Sequence, residues 1–302
     1  MAERTQYNSH SYEPERGKVL ASTCEYARVT LKLTHRSPDF GTHMIEHFAY
    51  GYVTLAIGFA VSMSGSALGL LLSRQARLHH GARRRVLWLL PAAFAIGGTG
   101  IWVMHFVAML GFDIRGETLR YDPLITAVSA LIAVVVVALG LLIIGLGRAS
   151  VGKFALAGLF TGAGVAGMHY TGMAAIDSTV ELHHDPVYVA SAIVIAIGAS
   201  TTALWLALRL QRTIAIWLSA AVMAIAVNAM HYTGMLGVRI GSPNGVPVHG
   251  SHSIDLIFPM AVLTAVVLLF LIYTVITAPT AAELDNEARL EALQNQFEAR
   301  QQ

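Results

Sequence analysis

Seven apolar runs dominate this chain, each about 20 residues or more and each free of Asp, Glu, Lys and Arg. They fall at 48–72, 86–110, 123–147, 154–176, 187–208, 214–236 and 256–277. A run of that length crosses a bilayer as a helix. The hydrocarbon region holds no water to satisfy backbone N–H and C=O groups, so the spans must satisfy them internally as helices. The sequence therefore predicts an all-α, polytopic membrane protein with seven transmembrane helices. At 55% hydrophobic and 13% charged residues, the chain is too apolar for an ordinary soluble domain. The net charge of +2 and the placement of the basic residues follow a membrane pattern and argue against nucleic-acid binding. Cys24, the single cysteine, excludes an intramolecular disulfide framework and a multi-thiolate metal site.

Within these runs one hexapeptide recurs three times: Met104-His105-Phe106-Val107-Ala108-Met109, Met168-His169-Tyr170-Thr171-Gly172-Met173 and Met230-His231-Tyr232-Thr233-Gly234-Met235. The intervals, 168 − 104 = 64 and 230 − 168 = 62, mark a true repeat of a large unit. Each copy lies on an alternate span, so the chain reads as three tandem helical hairpins plus a seventh helix. On a helix, residues four apart share a face, which sets His105 over Met109, His169 over Met173 and His231 over Met235. If the three helices pack together, three imidazoles and up to six thioethers meet. Such a soft donor set suits copper better than magnesium or calcium.

The loops give an orientation. One side carries Arg74, Arg77, Arg83, Arg84, Arg85, Arg148, Lys153, Arg209 and Arg212, and the other carries Arg115, Arg120 and Arg239. Nine against three predicts the first side to be cytoplasmic, the C-terminus inside and the N-terminus outside. All three motifs then lie near the outer face of the membrane. His183, His184, His249 and His252 fall in the outer loops, His47 at the outer start of the first span, and only His79 and His80 inside. Residues 1–43 read as a polar extension, 44–278 as the membrane domain, and 279–302 as a short cytoplasmic helical tail. In that tail Leu284, Leu290, Leu293 and Phe297 offer an apolar face for a second copy of the chain or an output partner.

The triplicated Met-His-Tyr/Phe-Thr/Val motif resembles the MHYT-domain family of bacterial integral membrane sensors, over roughly residues 48–277. The resemblance implies a non-enzymatic sensor that binds copper near the outer membrane face and senses O2, CO or NO. Its metal ligands would be Met104, His105, Met168, His169, Met230 and His231, to which the shared helix face adds Met109, Met173 and Met235. Tyr170, Thr171, Tyr232 and Thr233 would support them by hydrogen bonds, which Phe106 and Val107 of the first copy cannot offer. Many relatives are fused to cyclic-di-GMP enzymes, kinases or DNA-binding modules. About 25 residues follow the last span here, so the reading expects no output domain and a separate cytoplasmic partner.

Other readings stand beside this one. A lone intramembrane histidine often hydrogen-bonds across helices and merely holds a bundle together. Methionines fill cores well without ligating anything. His183 and His184 read more simply as solvated loop residues than as ligands. A metal-handling transporter would also use outward histidines, although the spans carry no acid to couple ions. Haem with two axial histidines is the less favoured cofactor alternative.

Overall fold

The computed structural model describes residues 45–79, 81–146, 150–210, 212–243 and 247–301. The polar extension, Cys24, His80 and Arg148 lie outside the described residues. Seven helices are long and apolar enough to cross a membrane. They are α1 Val53–Leu78, α2 Ala82–Leu110, α3 Pro123–Gly145, α4 Val151–Ala174, α5 Pro186–Arg209, α6 Thr213–Leu236 and α7 Ser253–Ile276. An eighth helix, α8 Ala281–Gln301, follows.

Six of the seven expected spans match these bounds to within a few residues. The first is displaced. Residues 45–52 are taken up by a short strand and a turn in which Gly51 adopts φ 64°, a left-handed conformation that favours glycine. Helix α1 thus starts five residues later than the apolar run and continues through Arg74 and Arg77. Helix starts are set by local chemistry. Asp122 accepts hydrogen bonds from the Leu124 and Ile125 amides (2.7 and 2.9 Å) ahead of Pro123. Asp185 does the same for Val187 (2.9 Å) ahead of Pro186, so the start of α3 is repeated at α5. Thr280 and Glu283 exchange hydrogen bonds as a capping box at the start of α8.

Helices α1 to α6 pack in chain order and close into a ring, α6 returning against α1. Close approach is made by glycines: Gly158 lies against Thr201, Gly162 against Ile197 and Gly164 against Val136, as their sequence pattern suggests. Gly167, from the same pattern, faces open space. Helix α7 packs on the outside of the ring, and most of its apolar side chains are exposed, as suits a lipid-facing helix. The apolar side chains of Leu290, Leu293 and Phe297 on α8 are also exposed.

Two features were not expected from the sequence. Phe94–Val103, within α2, is a π-helical segment three residues after Pro91. A Cβ at Gly65 of α1 would meet the Gly100 nitrogen at 2.5 Å and the Ala95 carbonyl at 2.6 Å, so the two backbones cross in contact there. A π turn holds more residues than an α turn, so this segment resets the angular phase of Met104–Met109, which follows it directly.

The second feature is a β cap. The strands are β1 Ile45–Glu46, β2 Asp113–Ile114, β3 Arg120–Tyr121, β4 Ile176–Asp177, β5 Val180–His184, β6 Val238–Pro243 and β7 Ser251–His252. All lie at the motif end of the bundle. Strand β1 pairs with β2, β3 with both β4 and β7, and β5 with β6, all antiparallel. Each of the three loops that follow a motif therefore pairs with both of the others.

Candidate metal centre

The motif occupies the last turns of α2, α4 and α6, where the three helices converge. His105, His169 and His231 are each 2% exposed or less and meet on the axis of the ring. The Nδ1 atom of His105 lies 3.0 Å from that of His231 and 3.2 Å from that of His169. Ring centroids are 5.0, 5.0 and 5.1 Å apart, with planes crossed at 78°, 75° and 87°, so the imidazoles stand as three blades of a propeller.

Protein atoms alone satisfy this arrangement poorly, because the His105 Nδ1 must serve two other Nδ1 atoms at once. A neutral imidazole offers at each nitrogen either one N–H or one lone pair. Three Nδ1 atoms meeting at one point have two states to share, so at least two must be alike and cannot hydrogen-bond to each other. A single cation accepting three lone pairs removes the conflict. Metal–nitrogen bonds of about 2.0 Å to a shared ion need only slight spreading of these separations. The three histidines thus form a group that could hold a metal ion.

Each ring is seated on the neighbouring repeat. A Cβ added to Gly172 would collide with Nε2 of His105, and one added to Gly234 would collide with Nε2 of His169. The equivalent position in the first repeat is Ala108, which is buried. The glycines of the second and third motifs therefore leave room for the preceding repeat's imidazole. The sequence analysis missed this role; the signal was the Gly-for-Ala exchange within an otherwise constant frame.

All six motif methionines are buried, but they divide into two groups. Met104, Met168 and Met230 belong to the apolar core of the spans. Met109, Met173 and Met235 belong to a second core under the β cap, with Phe106, Phe112 and Tyr121. The imidazoles lie between these two layers of thioethers.

Tyr170 and Tyr232 pack edge-on against their own histidines, with centroids at 4.9 and 5.0 Å. Their hydroxyls are buried and find no hydrogen bond among the described residues, as do Nε2 of His169 and Nε2 of His231. The tyrosines thus support the rings by contact, where a hydrogen-bonding role was expected. Thr171 and Thr233 are half-buried on the same turns.

Two further histidines approach from the cap. His184 stands edge-on to Tyr170 at 5.4 Å, with its Nε2 buried and unpartnered. It is not the solvated loop residue expected: strand β5 turns it inward while His183 faces out. Burial, and secondarily the neighbouring His183, push the His184 pKa below the usual histidine value. His47 lies over Phe112 at 6.0 Å, and burial lowers its pKa as well. His249 and His252 are exposed. His79, at the opposite end, is buried; its Nδ1 lies 3.1 Å from the Gln75 carbonyl and its ring stacks on Trp88.

The repeat family described as the bacterial signalling protein N-terminal repeat, MHYT, matches residues 98–157 and 162–220. These two stretches carry the first two hexapeptides. The chain belongs to the MHYT family. Its membrane part is a bacterial signalling sensor domain of MHYT repeats. The chain is similar to the bifunctional diguanylate cyclase/cyclic di-GMP phosphodiesterase MucR of Pseudomonas aeruginosa, with 36% identity over 236 residues, 76% of this chain and 34% of the relative. It is also similar to the cyclic di-GMP phosphodiesterase NbdA of the same organism, with 34% identity over 231 residues, 74% of this chain and 29% of the relative. The signalling protein YkoW of Bacillus subtilis is 29% identical over 269 residues, 82% of this chain and 32% of the relative. The chain spans about a third of the length of these curated relatives. No solved structure matches it.

Proposed function

We propose that this MHYT domain is a copper-dependent membrane sensor of a diatomic gas (O2, CO or NO) or of redox state. The observation that carries this reading is the meeting of three Nδ1 atoms on the bundle axis. His105, His169 and His231 are the primary ligands in this proposal. Met104, Met168 and Met230 on one side and Met109, Met173 and Met235 on the other supply thioethers, which favour Cu(I). When bound, copper would supply a centre that takes up a diatomic ligand or changes oxidation state by one electron. The protein's part is to hold the imidazoles, exclude water beneath the β cap, and link the site to three helices at once. The same nitrogen separations leave no room for a flat macrocycle between two histidines, which weighs against haem at this site.

Orientation follows the arginine bias: the motif end faces outward and the arginine-rich end faces the cytoplasm. A change at the centre acts on α2, α4 and α6 together. It reaches the cytoplasmic side as a shift of packed helices, a two-state movement. The output is a cytoplasmic partner or further signalling domain, and the regulated activity in this reading is cyclic-di-GMP turnover, by analogy with the two Pseudomonas aeruginosa relatives.

Metal analysis of the purified protein, paired with an optical spectrum, tests the proposal. About one copper per chain after loading under reducing conditions is expected. Protein that binds no copper under those conditions would refute it.

A further inference from the structure

The end of the bundle opposite the histidines holds a cavity of about 400 Å³ with three arginines in its wall. Arg77 comes from the last turn of α1, Arg85 from the first turn of α2 and Arg209 from the last turn of α5. Leu89, Phe154 and Leu208 give the cavity an apolar side. Two of the arginines are held in place from behind. Both terminal nitrogens of Arg77 donate to the Ala207 and Leu210 carbonyls at the end of α5, while its Nε is buried without a partner. Arg85 donates from Nε to the His79 carbonyl at 2.8 Å. Arg209 is exposed.

Among the described residues none of the three pairs with a carboxylate. No Asp or Glu occurs in 47–112, 123–176 or 186–254, which cover every loop of the ring at this end. The first acids of the following tail are already engaged, Glu283 with Thr280 and Asp285 with Arg289 at 2.9 Å. Arg74, Arg83, Arg84, Lys153 and Arg212 add further positive charge nearby in the sequence. A counter-charge from outside the chain fits these arginines. Guanidinium groups pair with phosphate oxygens through parallel N–H donors. A water-soluble phosphate has no use for the apolar wall, whereas a phospholipid lays its acyl chain there.

We propose that this cavity is a binding site for an anionic phospholipid, with the phosphodiester between Arg85, Arg209 and Arg77 and the acyl chain against Leu89, Phe154 and Leu208. The site ties the ends of α1, α2 and α5 to the membrane surface at the opposite end from the histidines. It is independent of any metal.

The test uses the full chain, purified in detergent and exposed to vesicles of equal parts phosphatidylcholine and phosphatidylglycerol, with retained lipid counted by native mass spectrometry. Phosphatidylglycerol should be retained about tenfold over phosphatidylcholine: both carry the phosphodiester, but the choline ammonium of the second is repelled by the three arginines. The double variant Arg85→Gln/Arg209→Gln should bring the ratio close to one. Arg77 is left intact because it caps α5. Arg83→Gln/Arg84→Gln, which removes two exposed charges off the cavity wall, should keep the preference. Equal retention of the two lipids by the unaltered protein would overturn the proposal. So would an equal loss in both double variants, which would mean diffuse surface charge. Displacement of phosphatidylglycerol by millimolar inorganic phosphate would show a phosphate site and not a lipid site.

Discussion

The Nδ1 atoms of His105 and His231 stand 3.0 Å apart, although 126 positions separate the residues in the chain. Two neutral imidazoles can share that distance through one N–H, but His169 presents a third nitrogen to the same point, 3.2 Å from His105. Replacing His169 or His231 by Ala should therefore lower bound copper by more than about tenfold, since loss of a supporting group alone can cost that much. His249→Ala, at an exposed position, should leave it unchanged. His79 is a poorer control than its place in the sequence suggests, because it is buried against Trp88. Equal metal content in all these variants would mean that the imidazoles only brace the helices.

Gly172→Ala and Gly234→Ala test the seating of one repeat's ring on the next. The added methyl overlaps Nε2 of His105 or of His169, and backbone on a packed helix cannot retreat easily. Each variant should lose metal while keeping its helical circular dichroism, and should cost about 1–3 kcal/mol of stability as an overpacked site. Gly167→Ala, on the same helix but facing open space, should change neither. Full copper occupancy in the two motif variants would show that the rings have other room.

Topology can be read with reporters. A reporter fused after residue 277 should be active only in the cytoplasm. The outer reporter is best inserted at Gly116, an exposed turn with φ 86°, because 177–186 contains strands that close the cap. Activity on the reverse sides would turn the histidines to the cytoplasm.

The cap should loosen in acid. His184 is held below its ordinary pKa mainly by burial, so the unfolded chain binds its proton more readily. Its contribution is complete above the unfolded value of about 6.5 and is lost as pH falls from there toward the lower folded value. Tyr170 faces the ring. His183 and Arg239 face each other on β5 and β6, and Asp185, just past β5, lies 3.9 Å from Arg239. Amide exchange in 180–184 and 238–243 should accelerate below pH 6.5, and His184→Gln should flatten that dependence. A pH profile identical in the variant would assign the effect elsewhere.

Deleting 281–302 asks whether the tail carries output or self-association. Leu290, Leu293 and Phe297 are exposed along α8, and apolar side chains gain free energy when a partner buries them. The truncated protein should keep its copper and lose its cellular response or its oligomeric state. If it keeps both, attention moves to the loop around Arg83–Arg85.

The spans and the motif were legible because both are local: apolar length is counted along the chain, and a repeated hexapeptide is visible without a fold. The starts of α3 and α5, at Pro123 and Pro186, fell within one residue of the expected 123 and 187, because the apolar runs begin there. The cap was not, because strands as short as Arg120–Tyr121 are held by Asp177 and His252, partners that only the closed ring brings near. The π segment escaped for the same reason: Gly65 meets Gly100 across two helices. His184 was read as solvated because alternation along a strand decides which way it points, and no strand was foreseen.

Closure of α6 onto α1 has a further consequence. Solenoid repeats can be added or removed at their ends, since each touches only its neighbours. A ring with one imidazole per hairpin offers no such freedom. Two hairpins would leave the axis open to lipid, and a fourth would push the nitrogens too far apart to meet. The copy number is thereby fixed at three, and the trio works as one indivisible unit, in which Phe106 and Val107 of the first copy leave His105 in its place.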